Sequence, residues 1–271
     1  MQKDTLALPC AIYLTAEILP TDLEEVDITD RESVSNYVRV SRPDVLINCV
    51  GFGDIASCEA QPDKAYQVNT VGARNLAVQA QAIGAKLIHL STDDVFSHHA
   101  RQPYNEFEIP TPSTIYGKSK LAGERFVQNL CTRHVIVRSS WVYGIGRDFV
   151  NTILEAANNP SVTSMEVAEN EFASPTSATE LAKVIEQLID NDCLGIYHAV
   201  CGGFCSRFEF AQAILKAIHA KDKLTLKPIS DSETINYSVL DNMMLRLENF
   251  TQPISWQQAL KDYIRTTGGN N

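Results

Sequence analysis

Short apolar runs alternate along this chain with longer stretches in which apolar residues recur every three or four positions. Val45 to Cys49, Lys86 to Leu90 and His134 to Arg138 are the short runs, and each predicts a buried strand. The stretches between them carry helix signals. Thr29 and Glu32 have capping-box spacing and predict a helix through about Val40. After Pro62, residues Ala65, Val68, Val71, Ala73, Leu76, Ala77 and Ala80 keep a helical repeat, and Gly84 supplies a stop. Ile115 opens a helix that runs to about Cys131. The second half is less regular. Phe149 to Ala157 and Ala178 to Asn191 read as helices, Ser164 to Val167 and Gly195 to Ala199 as strands, and Phe172 to Thr176 as a turn. Ser206 with Glu209, and Ser255 with Gln258, repeat the capping-box spacing and open two more helices, to about Ile218 and Ile264, before a frayed tail from Gly268. Cys10 to Thr15 is a further candidate strand.

Strands alternating with helices over this length predict an α/β fold with a doubly wound parallel, Rossmann-like sheet and a smaller, mixed C-terminal lobe. In such sheets ligands bind at the C-terminal ends of the strands. The strand over Lys86 to Leu90 empties into Ser91-Thr92-Asp93-Asp94-Val95-Phe96, and the next helix begins Ile115-Tyr116-Gly117-Lys118-Ser119-Lys120. Tyr116 and Lys120 are one turn apart and share a face. A free tyrosine, with a pKa of about 10, is a poor acid or base at neutral pH. A lysine ammonium one turn away favours the phenolate and moves that pKa toward working range. A hydroxyl from Thr92 or Ser91 can fix a substrate oxygen. The trio suits a carbonyl whose oxygen gains a proton while its carbon gains a hydride.

Composition changes this picture little. Of 271 residues, 44% are hydrophobic and 21% charged, enough apolar residues for a substantial core. A net charge of −10 argues against nucleic acid and anionic membrane as partners. No apolar run approaches the roughly 18 residues of a membrane span, and the start lacks a secretory pattern, so a cytoplasmic location is expected. Seven cysteines with no C-x-x-C pair read as reduced, mostly buried thiols. No metal site is expected: His98 and His99 are adjacent and read as an exposed loop.

Eight stretches together resemble the extended short-chain dehydrogenase/reductases, and among them the dTDP-4-dehydrorhamnose reductase family. They are Val26 to Asp30, Arg42 to Asn48, Ala65 to Asn69, Ser91 to Asp93, Tyr116 to Glu124, Ser140 to Gly144, Ser174 to Thr176 and Ser238 to Asn242. The resemblance implies a dinucleotide-binding domain over residues 1–143 and mainly a substrate lobe over 144–271, with returning segments. It implies NADPH, or NADH, as cofactor and a nucleotide sugar as substrate, and is compatible with a homodimer. Tyr116 would donate the proton to the sugar's keto oxygen, Lys120 would bond the nicotinamide ribose, and Thr92 the substrate oxygen. Asp27 and Ile28 would lie by the adenosine half of the cofactor, Val50 and Gly51 by the pyrophosphate, and Asn69 and Ser91 by the nicotinamide. Trp141 and Asp94 would face the substrate.

The chain departs from the family's pattern in four places. The family's opening strand and G-x-x-G-x-x-G loop fall before Met1, and the first glycine here is Gly51; the expectation is a chain lacking that strand and loop, with Cys10 to Thr15 as the second strand. Asp94 stands where the family has tyrosine, placing a negative charge near an anionic nucleotide. Glu171-Phe172-Ala173 replaces Gln-x-Gly, and Thr234-Ile235 replaces Arg-Pro. The expected activity is reduction of a nucleotide-activated 4-keto deoxysugar. A non-catalytic nucleotide-binding or regulatory homologue is the alternative, and epimerase or dehydratase chemistry, which Asp93-Asp94 would serve, is a third reading.

Overall fold

The short apolar runs assemble into one parallel sheet. A computed structural model describes residues 17–230 and 235–268. Helix α1 (Arg31–Ser41) leads to strand β1 (Val45–Asn48). Two short helices, α2 (Ile55–Ala60) and α3 (Pro62–Tyr66), pass through a π-helical segment (Gln67–Gly72) into α4 (Ala73–Ile83). Then come β2 (Lys86–Thr92), a 3-10 turn (Asp93–Val95), α5 (Ile115–Leu130) and β3 (His134–Ser139). The second half runs β4 (Val142–Tyr143), α6 (Phe149–Asn158), β5 (Ser164–Ala168), β6 (Glu171–Ala173), β7 (Thr176–Ser177), α7 (Ala178–Asp190), β8 (Gly195–His198), β9 (Cys205–Ser206), α8 (Arg207–Ala217), β10 (Thr225–Ile229), β11 (Asn236–Tyr237), α9 (Met243–Leu247) and α10 (Trp256–Gly268).

The main sheet has the order β1-β2-β3-β8, with every pair parallel. Side chains alternate across it, as a sheet covered on both faces requires. Leu87 and Ile136 pack on one side with Val34, Val38, Leu76, Ala77 and Val127 of α1, α4 and α5. Ile88, Leu90, Val135 and Val137 pack on the other with Leu181, Val184, Ile185 and Leu188 of α7. Helices on both faces make the sheet doubly wound, and β8 returns to it from the second half of the chain. A separate core joins Tyr143, Val150, Ile153, Phe210, Ile214, Trp256 and Leu260. It underlies the smaller sheets, of which the one ordered β11-β6-β9 is mixed.

Three local expectations change. The first helix is capped by Asp30, whose carboxylate accepts from the Glu32 amide at 2.8 Å; Thr29 instead turns its amide and hydroxyl to Asp27 Oδ1, each at 2.8 Å. A carboxylate combines the capping bond with attraction to the helix dipole, which a hydroxyl cannot match. The long helix expected from Pro62 to Gly84 is interrupted by the π segment. There α5 comes so close that a Cβ at Gly123 would collide with the Asn69 carbonyl, and a π-bulge is the usual way to reposition one turn of a helix. The turn at Ser174-Pro175 separates two short strands, β6 and β7.

Both halves of the Ser206–Glu209 capping box form, at 3.0 and 2.8 Å. Gly84 ends α4 in the left-handed region, φ 75°. The candidate strand Cys10 to Thr15, Thr234 and the tail beyond Gly268 lie outside the described residues. Cys58, Cys131, Cys193, Cys201 and Cys205 are free thiols. No described helix is long and apolar enough to cross a membrane.

Candidate active site

The C-terminal ends of β1 and β2 meet the first turn of α5 at the ligand-binding edge of the sheet. Thr92 ends β2 buried, and its hydroxyl oxygen accepts from the Asp94 amide at 3.2 Å, turning the chain through Asp93–Val95. Asp93 is fixed beneath this turn: its Oδ2 accepts from Ser140 Oγ at 2.8 Å and from Ser238 Oγ at 2.6 Å. Thr114 caps α5 by accepting from the Gly117 amide at 3.0 Å. Tyr116 is therefore the second helical residue and Lys120 follows one turn on. Gly117 permits the approach, since a Cβ there would collide with the Asp94 carbonyl oxygen.

Lys120 is buried and donates to the Leu90 carbonyl at 2.6 Å. Burial brings its pKa down to about 8, opposed by Glu124 and Cys49. It remains a cation at neutral pH. Tyr116 departs from the expectation of a lysine-lowered pKa. Burial raises its pKa and the Asp94 carboxylate adds to the rise, while the Thr92 hydroxyl opposes both. Desolvation of the phenolate thus dominates, and Tyr116 holds its proton at neutral pH, the form that can donate one.

The loop after β1 closes the site on one side. A Cβ at Gly53 would lie 3.9 Å from the Tyr116 hydroxyl, and one at Gly51 would lie 3.7 Å from Asn69 Oδ1 and 4.0 Å from Lys120 Nζ. Gly51 so lies beside the lysine and Gly53 beside the tyrosine ring. Asn69 is not a surface residue of a regular helix. It is buried in the π segment, accepts from the Phe52 amide at 2.8 Å, and donates to the Phe52 carbonyl at 3.0 Å and Ser119 Oγ at 2.9 Å. It clamps the loop to α5.

The other residues expected to serve the cofactor divide. Val50 is exposed in this loop, its amide held by Asn48 Oδ1 at 3.1 Å. Ser91 turns its hydroxyl to Glu124 Oε1, 2.5 Å away, beneath the site. Asp27 lies on the α1 side, accepting from Thr29, and Ile28 is core beneath Gly72, where a Cβ would press on it.

Of the two residues expected to face the substrate, Trp141 takes a strained backbone conformation, φ 42°, and presents its ring to Arg207, whose guanidinium carbon lies 3.5 Å from the ring centroid. Arg207 Nε pairs with Glu171 Oε2 at 3.9 Å. Burial lowers the Arg207 pKa to about 10, opposed by Glu171, Asp93 and Asp94. Asp94 does not carry the full negative charge expected of it. Burial raises its pKa to about 7, Asp93 adds to this, and Arg207 opposes. His98 does not sit on an exposed loop. Its side chain is 14% exposed, and Nε2 lies 3.3 Å from Asp94 Oδ1. Sequence reasoning missed Arg207, although a signal was present: a cation at the first position of a helix opposes the helix dipole, and such local violations gather at functional sites. Among the described residues no group of His, Cys, Asp and Glu is placed to hold a metal ion.

With this geometry in view, known proteins give a consistent comparison. The family profile described as the RmlD substrate binding domain matches residues 12–268. The spore coat polysaccharide biosynthesis protein SpsK of Bacillus subtilis is 34% identical over 256 residues, covering 92% of this chain and 88% of that protein. The dTDP-4-dehydrorhamnose reductase of Mycolicibacterium smegmatis is 33% identical over 262 residues, covering 93% and 79%. The crystal structure of dTDP-4-dehydrorhamnose reductase from Bacillus anthracis, in complex with NADP, superposes with a TM-score of 0.92 at 34% identity, covering 97% of this chain and 96% of that one. Profile, sequence and fold agree over nearly the whole length, and the chain belongs to the dTDP-4-dehydrorhamnose reductase family of oxidoreductases.

Proposed function

We propose that this chain reduces the 4-keto group of dTDP-4-dehydrorhamnose, giving dTDP-L-rhamnose with NADPH as reductant. The observation that carries the reading is the convergence of Thr92, a protonated Tyr116 and a cationic Lys120 at the strand-end edge of a doubly wound sheet. The residues fit a nicotinamide dinucleotide. Gly51 leaves room beside the lysine ammonium and Gly53 beside the Tyr116 ring; the ammonium's described hydrogen-bond partner is one backbone carbonyl, so it has donors to spare for a ribose. The cofactor, when bound, supplies the hydride. Thr92 orients the keto oxygen, Tyr116 gives it a proton as negative charge develops, and Lys120 stabilises the phenolate left behind. Asn69 keeps the loop at 50–53 in register with α5.

The intact trio favours catalysis over a binding-only role. Residues 144–271 supply most of the substrate lobe in this reading, and the enzyme is cytoplasmic, in line with the free thiols of Cys58, Cys131, Cys193, Cys201 and Cys205. Purified protein mixed with NADPH and dTDP-4-dehydrorhamnose is expected to oxidise one NADPH per sugar reduced; no turnover with NADPH or NADH would overturn the reading. Arg207 contributes on the sugar side, where its guanidinium lies over the Trp141 ring and its charge favours the Asp94 carboxylate. Charge-assisted hydrogen bonds are worth about 1.5–3 kcal/mol, so Arg207→Met is expected to raise KM for the nucleotide sugar about 10–100-fold with less change in kcat. An unchanged KM would place Arg207 outside the substrate contacts.

A further inference from the structure

We propose that Asp93 is a positioning residue of the reductase: its buried carboxylate sets the direction of the Thr92 hydroxyl and ties the Thr92 turn to the segment that carries Trp141. The inference rests on the reductase reading above. Asp93 is 5% exposed, and each described hydrogen bond to its carboxylate comes from a hydroxyl. Thr92 Oγ1 donates to Oδ1 at 3.1 Å. Ser140 Oγ and Ser238 Oγ donate to Oδ2 at 2.8 and 2.6 Å. The three hydroxyls come from three parts of the chain. Thr92 ends β2, Ser140 follows β3 and directly precedes Trp141, and Ser238 follows β11, 145 positions beyond Asp93. Ser140 and Ser238 are themselves buried. The Ser238 amide also donates to the Phe172 carbonyl at 2.9 Å, so β6 is fixed to the same point.

The direction of the Thr92 hydroxyl follows from what its neighbours can do. The Asp94 amide can only donate, and it takes one lone pair of Thr92 Oγ1 at 3.2 Å. A carboxylate oxygen can only accept, so in this arrangement the hydroxyl hydrogen lies on Asp93 Oδ1. One lone pair of the hydroxyl is left over. A keto oxygen also can only accept, so Thr92 bonds it by turning its hydrogen away from Asp93. That turn does not strand the carboxylate, because Ser140 and Ser238 stay on its other oxygen. Reduction reverses the demand. The new C4 hydroxyl brings its own hydrogen, which the Thr92 oxygen accepts while its own hydrogen goes back to Asp93. Asp93 thus gives the Thr92 hydrogen a second place to rest, and one hydroxyl serves ketone and alcohol in turn. No covalent bond changes at Asp93, which acts through Thr92.

The test is a double-mutant cycle in kcat between Asp93 and Thr92. Asp93→Asn keeps the shape but brings donors where only acceptors stood. It is expected to lower kcat about 10–100-fold, the scale of a misplaced reacting group, with the Kd for NADPH unchanged. Thr92→Val removes the hydroxyl at nearly constant volume. Tyr116 and Lys120 remain, so single-turnover NADPH oxidation still measures the slower reaction. In the Thr92→Val background, Asp93→Asn is expected to cost less than about threefold more, because residues that act through one another are not additive. Ser140→Ala carries the same test if Asp93→Asn does not fold: a several-fold loss of kcat with Thr92 present, and none in Thr92→Val. Losses that multiply across the cycle, or wild-type kcat in Asp93→Asn, would overturn the positioning role and leave the reductase reading standing. A matching loss of NADPH affinity would also overturn it, because Asp93 would then hold the fold at large and not Thr92. No turnover in wild type with NADPH or NADH would overturn both.

Discussion

Tyr116→Phe is expected to lower kcat by about 10²–10⁴-fold, the usual size of a general acid's contribution, with little change in cofactor binding or thermal stability. The ring volume is kept, and the ring's neighbours, Gly53 and the Thr92 turn, do not depend on the hydroxyl. What is lost is the hydroxyl that gives its proton to the keto oxygen in this reading. Lys120, whose ammonium donates to the Leu90 carbonyl at 2.6 Å, is assigned to the ribose in this reading. Single-turnover NADPH oxidation measures the chemical step, and NADPH fluorescence on titration measures binding. A phenylalanine variant with wild-type turnover would remove Tyr116 from the mechanism. A large loss of cofactor affinity would instead assign the hydroxyl to binding.

The parts of this site that are legible in the sequence are those set by local rules. The strand over Lys86 to Leu90 is a continuous apolar run because both of its faces are covered, and Tyr116 and Lys120 share a face because a helix turn separates them. Gly84 and the Ser206–Glu209 box mark their helix ends because capping chemistry is local. The missed features depend on neighbours far away in sequence. Asn69 is expected by the nicotinamide from the resemblance, but its clamp between the loop and α5 shows only once Gly123 and Ser119 of α5 are brought against it. Asp94 looks like an ordinary carboxylate until burial and Asp93 raise its pKa. His98 looks solvent-exposed until its backbone turns left-handed and swings the ring toward Asp94. The capping box expected at Thr29 gives way because Asp30, one residue on, caps the same helix end.

Glu124→Ala is expected to destabilise the protein by about 3–5 kcal/mol, the range found when one partner of a buried ion pair is removed. Glu124 is 1% exposed and lies one turn beyond Lys120 on α5. Its two oxygens take Arg138 Nε at 2.9 Å and Nη2 at 2.7 Å, and Oε1 also takes the Ser91 hydroxyl. Arg138 is 2% exposed in β3, and its Nη1 already has no hydrogen-bond partner. Without Glu124 the guanidinium keeps its position over the Phe96 ring, at 5.3 Å, but no carboxylate balances its charge. Domains are commonly stable by about 5–15 kcal/mol, so the loss takes much of the margin. Urea denaturation would show it as a lower midpoint at unchanged slope; a loss below about 1 kcal/mol would mean that water or a shifted side chain reaches Arg138. The milder Glu124→Gln variant keeps the shape and removes the charge that holds up the Lys120 pKa. That pKa should then fall below about 8, so the lysine loses its proton at lower pH. The alkaline limb of kcat/KM should shift toward neutrality, tying the buried pair to the chemistry above it.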